Sequence, residues 1–192
     1  MTRQNVRNIV VIVVTTVVIL AGLWLVKGGW HSDSSASPSV TASVAAGQAA
    51  PAVGQLAPDF TGTAVDGSTV TLSKLAGKPV WLIFGATWCA DCRVEAPDLQ
   101  TVSQAYAGRV QVVSVYVGES VSTVQPYAQR LGLTMPAVPD PDNTIGDAYG
   151  VIGIPAHYFI DSSGVIRNIH VGAITQPSAK TQLDALLGDG TG

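Results

Sequence analysis

The rhythm of apolar and polar positions changes several times along the chain, and each change predicts an element. From Ile9 to Val26, eighteen residues pass without a charge. As a helix rising 1.5 Å per residue this run spans about 27 Å, close to the ~30 Å hydrocarbon core of a bilayer. β-Branched residues dominate it, but backbone in lipid must close its own hydrogen bonds, so a helix is expected. Further on, Asp59–Ala64 and Thr69–Leu72 read as a short hairpin turned at Asp66-Gly67, and Pro79–Gly85 as a buried apolar strand. A helix from about Ala90 to Tyr106, a valine-rich strand at Val110–Val117 and a helix at Val121–Leu131 follow. A variable loop leads to a short helix around Thr144–Tyr149. Strand Ala156–Ile160 turns at Asp161–Gly164 into strand Val165–Val171, and Ser178–Leu187 closes the chain as a helix. That order predicts an α/β sandwich, a mixed central sheet flanked by helices.

Four segments result. Residues 1–8 are expected to form a short cytoplasmic N-terminus, 9–26 a transmembrane anchor, 27–51 a flexible Ser/Ala-rich linker and 52–192 a single domain. Arg3 and Arg7 precede the apolar run and Lys27 follows it, so the positive-inside rule puts the N-terminus in the cytoplasm and the domain outside. Trp24 and Trp30 suit the interfaces. A cleaved signal peptide is the alternative, but its apolar core is normally 7–15 residues with a small-residue cleavage site directly after. Here Lys-Gly-Gly-Trp-His follows. Both readings send the domain outward. His31–Pro51 holds six Ser, six Ala and two Pro with no aromatic residue. It cannot bury enough apolar surface to offset the entropy of ordering.

Charge narrows the function. The chain has 10 basic and 13 acidic residues. The part from Ala52 onward carries seven and twelve, a net of −5. No basic cluster offers nucleic acid a footing.

The only two cysteines, Cys89 and Cys92, lie three positions apart. A bridge closing so short a loop stabilises a domain little, so their value is chemical. The same spacing is half a zinc site, but the second half is missing. The apolar strand runs straight into Trp88-Cys89-Ala90-Asp91-Cys92, and an amphipathic helix follows. Cys89 therefore sits at a helix N-terminus, where free amide N–H groups and the helix dipole favour a thiolate. Cys92, one turn on, can reach back and resolve a mixed disulfide. An inert structural bridge or a metal site are the competing readings; the histidines available as further ligands are His31, His157 and His170.

Several separated stretches over roughly residues 53–187 resemble the thioredoxin superfamily, and within it the TlpA/ResA-type membrane-anchored thiol-disulfide oxidoreductases. Gly54–Phe60 is similar to the family's opening segment. Trp88-Cys89-Ala90-Asp91-Cys92-Arg93-Val94-Glu95-Ala96-Pro97 matches W-C-x-x-C-x-x-E-x-P. Val117-Gly118-Glu119-Ser120 follows the second strand as in ResA-like proteins. Gly153-Ile154-Pro155, Phe159-Ile160-Asp161 and Gly164 are similar to G-x-P-T-x-F-x-I-D-x-x-G. The resemblance implies a thioredoxin-like fold, no cofactor, and dithiol/disulfide exchange with protein thiols. It implies that Pro155 is a cis-proline against the cysteines, leaving Ile154 free to pair with substrate; an ordinary trans turn is the alternative. It makes Glu95 a partly buried carboxylate that tunes the thiols and moves protons, where an isolated helix would put it on a solvated face. Glu119 takes a similar role, and Trp88 walls the site or fills the core.

Two departures stand out. Asp91, where many relatives have proline, puts negative charge near both thiols and opposes the helix dipole. Ala156 and His157 replace the usual Thr-Thr, so His157 either contacts substrate, tunes Cys89 or lies on the strand surface. The expected function is a reductant of extracytoplasmic proteins, such as the C-x-x-C-H of apocytochrome c, itself re-reduced by a DsbD/CcdA-type membrane dithiol donor. The alternatives are an oxidant that introduces disulfides and a copper chaperone using Cys89, Cys92 and His157. A peroxiredoxin would need Pro-x-x-x-Thr/Ser-x-x-Cys, and Phe84–Cys89 offers no such proline.

Overall fold

The computed structural model describes residues 4, 7, 13–20 and 50–188. Residues 13–20 are helical and exposed. The rest of the expected span at 9–26, and the linker up to residue 49, lie outside the described residues. Among those described, no helix is long and apolar enough to cross a membrane.

The folded unit begins with a two-stranded antiparallel hairpin, β1 (Thr61–Thr63) and β2 (Thr69–Thr71), pairing Thr61 with Thr71. Asp66 shapes its turn by accepting the Ser68 N–H at 2.9 Å, and Gly67 takes the left-handed conformation that the turn requires (φ 87°). Then come β3 (Val80–Gly85), α1 (Ala90–Ala105), β4 (Gln111–Val117), α2 (Val121–Leu131), β5 (Ala137–Asp140), α3 (Thr144–Ala148), β6 (Ala156–Ile160), β7 (Ile166–Val171) and α4 (Gln176–Gly188).

Strands β3 to β7 make one sheet in the order β5-β4-β3-β6-β7. β3 pairs in parallel with β4, and β4 with β5; β6 runs antiparallel to both β3 and β7. The mixed sheet is as expected, with one addition. The segment read as a variable loop contains β5. Pro139 lies inside it and it is four residues long, which a proline permits because β5 is an edge strand.

β3 explains its own composition. It is central and covered on both faces, so its residues are apolar without alternation. Leu82 and Phe84 face a core with Phe60, Val115, Tyr149 and Tyr158. Trp81 and Ile83 face another with Leu99 and Val102 of α1 and Leu183 and Leu186 of α4. α1 continues through Pro97. The proline removes one internal hydrogen bond but does not end the helix.

Candidate active site

Cys89 is the N-cap of α1, in extended conformation (φ −70°, ψ 122°), and its Sγ accepts the Cys92 N–H at 3.2 Å. The sulfur thus takes the place of the hydroxyl or carboxylate that usually satisfies a free amide at a helix start. Cys89 and Cys92 form a disulfide with Cα atoms 5.3 Å apart. They are only 6% and 8% exposed, and they nest with Ala86 against Ile154.

The Ile154–Pro155 bond is cis. The Ile154 carbonyl oxygen lies 3.9 Å from Cys89 Sγ. On the other side, Glu119 at the end of β4 is buried and accepts two hydrogen bonds from Thr87, from its N–H at 2.8 Å and its hydroxyl at 2.6 Å. Thr87 carries no pattern that marks it in the sequence. Its importance comes from a carboxylate 32 positions away.

Glu95 is buried, 5% exposed, and its Oε2 accepts the Ile174 N–H at 3.0 Å. A solvated face for Glu95 is therefore wrong. Beside it a cavity with about 30 Å³ of room for water-sized molecules is bounded by Cys92, Glu95, Ser114 and Tyr116. A void of that size accepts one or two waters, enough to carry a proton between the carboxyl group and Cys92. Burial pushes the Tyr116 phenol well above its usual range, so it stays neutral there.

The surface reading of His157 is also corrected: none of it is exposed. β6 lies between β3 and β7 with both faces covered, so even its polar position is interior. His157 Nε2 lies 3.5 Å from Glu95 Oε2. Trp88, by contrast, is 68% exposed and belongs to no core. Asp91 is exposed in the first turn of α1. Among the described residues, no three His, Cys, Asp or Glu side chains converge as a metal site requires, which leaves the copper reading without geometric support.

The AhpC/TSA family model matches residues 53–169. The thiol-disulfide oxidoreductase ResA of Geobacillus thermodenitrificans is 35% identical over 136 residues, covering 70% of this chain and 78% of that protein. The chain belongs to the AhpC/TSA family. Within that family it is a thioredoxin-like thiol-disulfide oxidoreductase with Cys89 and Cys92 as its redox pair. A thioredoxin-family thiol:disulfide interchange protein from Chlorobium tepidum TLS aligns with a TM-score of 0.65 at 30% identity, over 72% of this chain and all of the other. A secreted Mycobacterium tuberculosis disulfide oxidoreductase, described as homologous to E. coli DsbE, gives 0.61 at 28%, over 66% of this chain and 95% of the other. An AhpC/TSA oxidoreductase of this kind acts on protein thiols and disulfides.

Proposed function

We propose that this enzyme reduces protein disulfides outside the cytoplasm, with Cys89 as attacking thiol, Cys92 as resolving thiol and Glu95 as the group that moves the proton. The observation that carries the direction is the set of carboxylates around the thiols. Asp91 lies between them, Glu95 one turn beyond Cys92, and Glu119 is bonded to Thr87 two residues before Cys89. Negative charge near a sulfur disfavours its thiolate. A couple whose reduced form lacks such stabilisation gives up electrons, the reverse of a strong oxidant such as DsbA. The Cys92 N–H on Cys89 Sγ works the other way and supports the disulfide-introducing alternative. Titrating the Cys89–Cys92 couple against buffers of known potential decides between them. A value near the roughly −120 mV of strong oxidants overturns the reductant reading.

The Ile154 carbonyl, 3.9 Å from Cys89 Sγ, offers a backbone acceptor to an extended substrate segment next to the attacked sulfur. Similarity to ResA and to a DsbE homologue supports apocytochrome c, through its C-x-x-C-H, as one substrate, and a DsbD/CcdA-type membrane dithiol donor as the source of electrons. The uncharged run of residues 9–26 after Arg3 and Arg7 supports a single-pass anchor with the N-terminus in the cytoplasm. A membrane-impermeant thiol reagent should then label the reduced cysteines in intact cells. Labelling only after lysis would place the domain inside.

A further inference from the structure

His157 is the second residue of β6, with none of its surface exposed, and neither ring nitrogen has a hydrogen-bond partner among the described residues. A buried imidazole held this way costs free energy unless a nearby group offsets it. The group placed to do so is Glu95, whose Oε2 is 3.5 Å from Nε2. Glu95 is one turn from Cys92, and both border the same small cavity. The pair is walled by the Trp81 ring, 5.9 Å from the imidazole between centroids, and the His170 ring at 5.8 Å.

We propose that His157 is a positioning residue for the exchange reaction: its imidazole faces Glu95 across 3.5 Å, and so sets how readily Glu95 gives a proton to Cys92 or takes one from it. This rests on the roles given above to Cys92 and Glu95. When a substrate thiolate attacks Cys89 Sγ, a substrate–Cys89 disulfide forms, the Cys89–Cys92 bond breaks, and the electron pair leaves on Cys92 Sγ. The proton that neutralises that thiolate comes from the His157–Glu95 pair through Glu95, leaving the pair one proton poorer. In reverse, the Cys92 thiol gives its proton to the pair as its sulfur attacks the mixed disulfide, and the substrate departs as thiolate. The pair gains and loses protons only; the electrons stay on sulfur.

The other ionisable groups facing the pair are few. Cys92 and Asp98 lie on α1, the latter accepting from Gln176 at 2.7 Å. His170 on β7 has its Nε2 3.2 Å from the Ala173 carbonyl. Tyr127 on α2 and Tyr116 on β4 line the cavity, with Arg93, Arg130 and Glu119 also acting on Tyr127. Burial raises both phenols, so neither exchanges a proton at neutral pH.

The test is the pH dependence of the Cys89–Cys92 reduction potential in the full chain, for wild type, His157→Asn, Glu95→Gln and the double variant. The wild-type plot should change slope where the pair exchanges its proton. In His157→Asn that break should move up by about one pH unit, a tenfold change in occupancy, because Glu95 loses the imidazole that faces it. In the Glu95→Gln background, His157→Asn should move nothing. A break that stays put, or that moves equally in both backgrounds, overturns the proposal. Should His157→Asn fail to fold, the wild-type protein still answers. The ring nitrogen shifts of His157 should differ between oxidised and reduced forms at one pH, and identical shifts overturn the proposal. The absolute potential at neutral pH bears only on the reductant reading, so the two can fail separately.

Discussion

Glu119 holds Thr87 by both of its donors, the N–H at 2.8 Å and the hydroxyl at 2.6 Å, across 32 residues of sequence. This ties the end of β4 to the loop that delivers Cys89 to its helix. Glu119→Ala leaves two donors near a buried site without their acceptor, at a cost of about 1–3 kcal/mol. Chemical denaturation should show that loss. Disulfide exchange by the still-folded fraction should also slow, because the loop is no longer fixed. Unchanged exchange in the folded fraction would reduce Glu119 to a purely structural tie.

Replacing one sulfur at a time separates attack from resolution. Cys92→Ser should accumulate mixed disulfides between Cys89 and partner proteins, since nothing remains to release them. Cys89→Ser should accumulate none. Non-reducing gels followed by mass spectrometry read both outcomes and name the partners. Equal trapping by the two variants would show that the roles are wrongly assigned.

The turn between β6 and β7 predicts an acid-sensitive contribution to stability. Burial of Asp161 works to raise its carboxyl, but hydrogen bonds from Ser163, Val165 and Arg167 outweigh burial and hold it below the usual 3.8. A carboxyl lowered on folding stabilises the protein above its unfolded value, and that stability is lost as pH falls through the folded value. Asp161→Asn should lose about 1–3 kcal/mol at neutral pH, with half-exposed Arg167 adding little. Its melting temperature should also vary less between pH 5 and pH 3 than the wild type's. Parallel acid limbs in the two proteins would refute the assignment.

Trp88 stands 68% exposed next to Cys89, with fully exposed Ile152 and exposed Val171 as other apolar surface of the domain. Trp88→Ala should leave stability within about 0.5 kcal/mol, as for a surface substitution that breaks no core contact. Exchange with protein substrates should fall about tenfold, one lost aromatic contact being worth roughly 1.4 kcal/mol. Exchange with a small disulfide should hardly change. An equal loss with both substrates would mean that Trp88 acts on the sulfurs and not on the partner.

Local pattern carried most of the fold. Val121–Leu131 and Ala156–Ile160 have the bounds that periodicity suggests, and the unbroken apolar run before Trp88 marked β3 because only a strand covered on both faces has that composition. What escaped depended on distance. β5 reads as loop because four residues with an internal proline carry no strand signal, and only pairing with β4 makes them one. The run AHYFI allows His157 to face outward; the order β3-β6-β7 is what buries it. The Ile154–Cys89 approach and the Glu119–Thr87 tie join positions 65 and 32 residues apart. The partner of Glu95 at position 174 is a backbone amide, which no side-chain pattern can reveal.

β3 is bonded to a strand on each side along nearly its whole length, and Gly85 at its end leads directly into the cysteine loop. Its amides should exchange with solvent deuterium only when the entire domain opens, while surface turns such as Gly150–Ile154 exchange through small local fluctuations. The sulfurs are thus mounted on the last part of the molecule to let go. Handling by partners can disturb the rim of the site without moving the point at which electrons are exchanged.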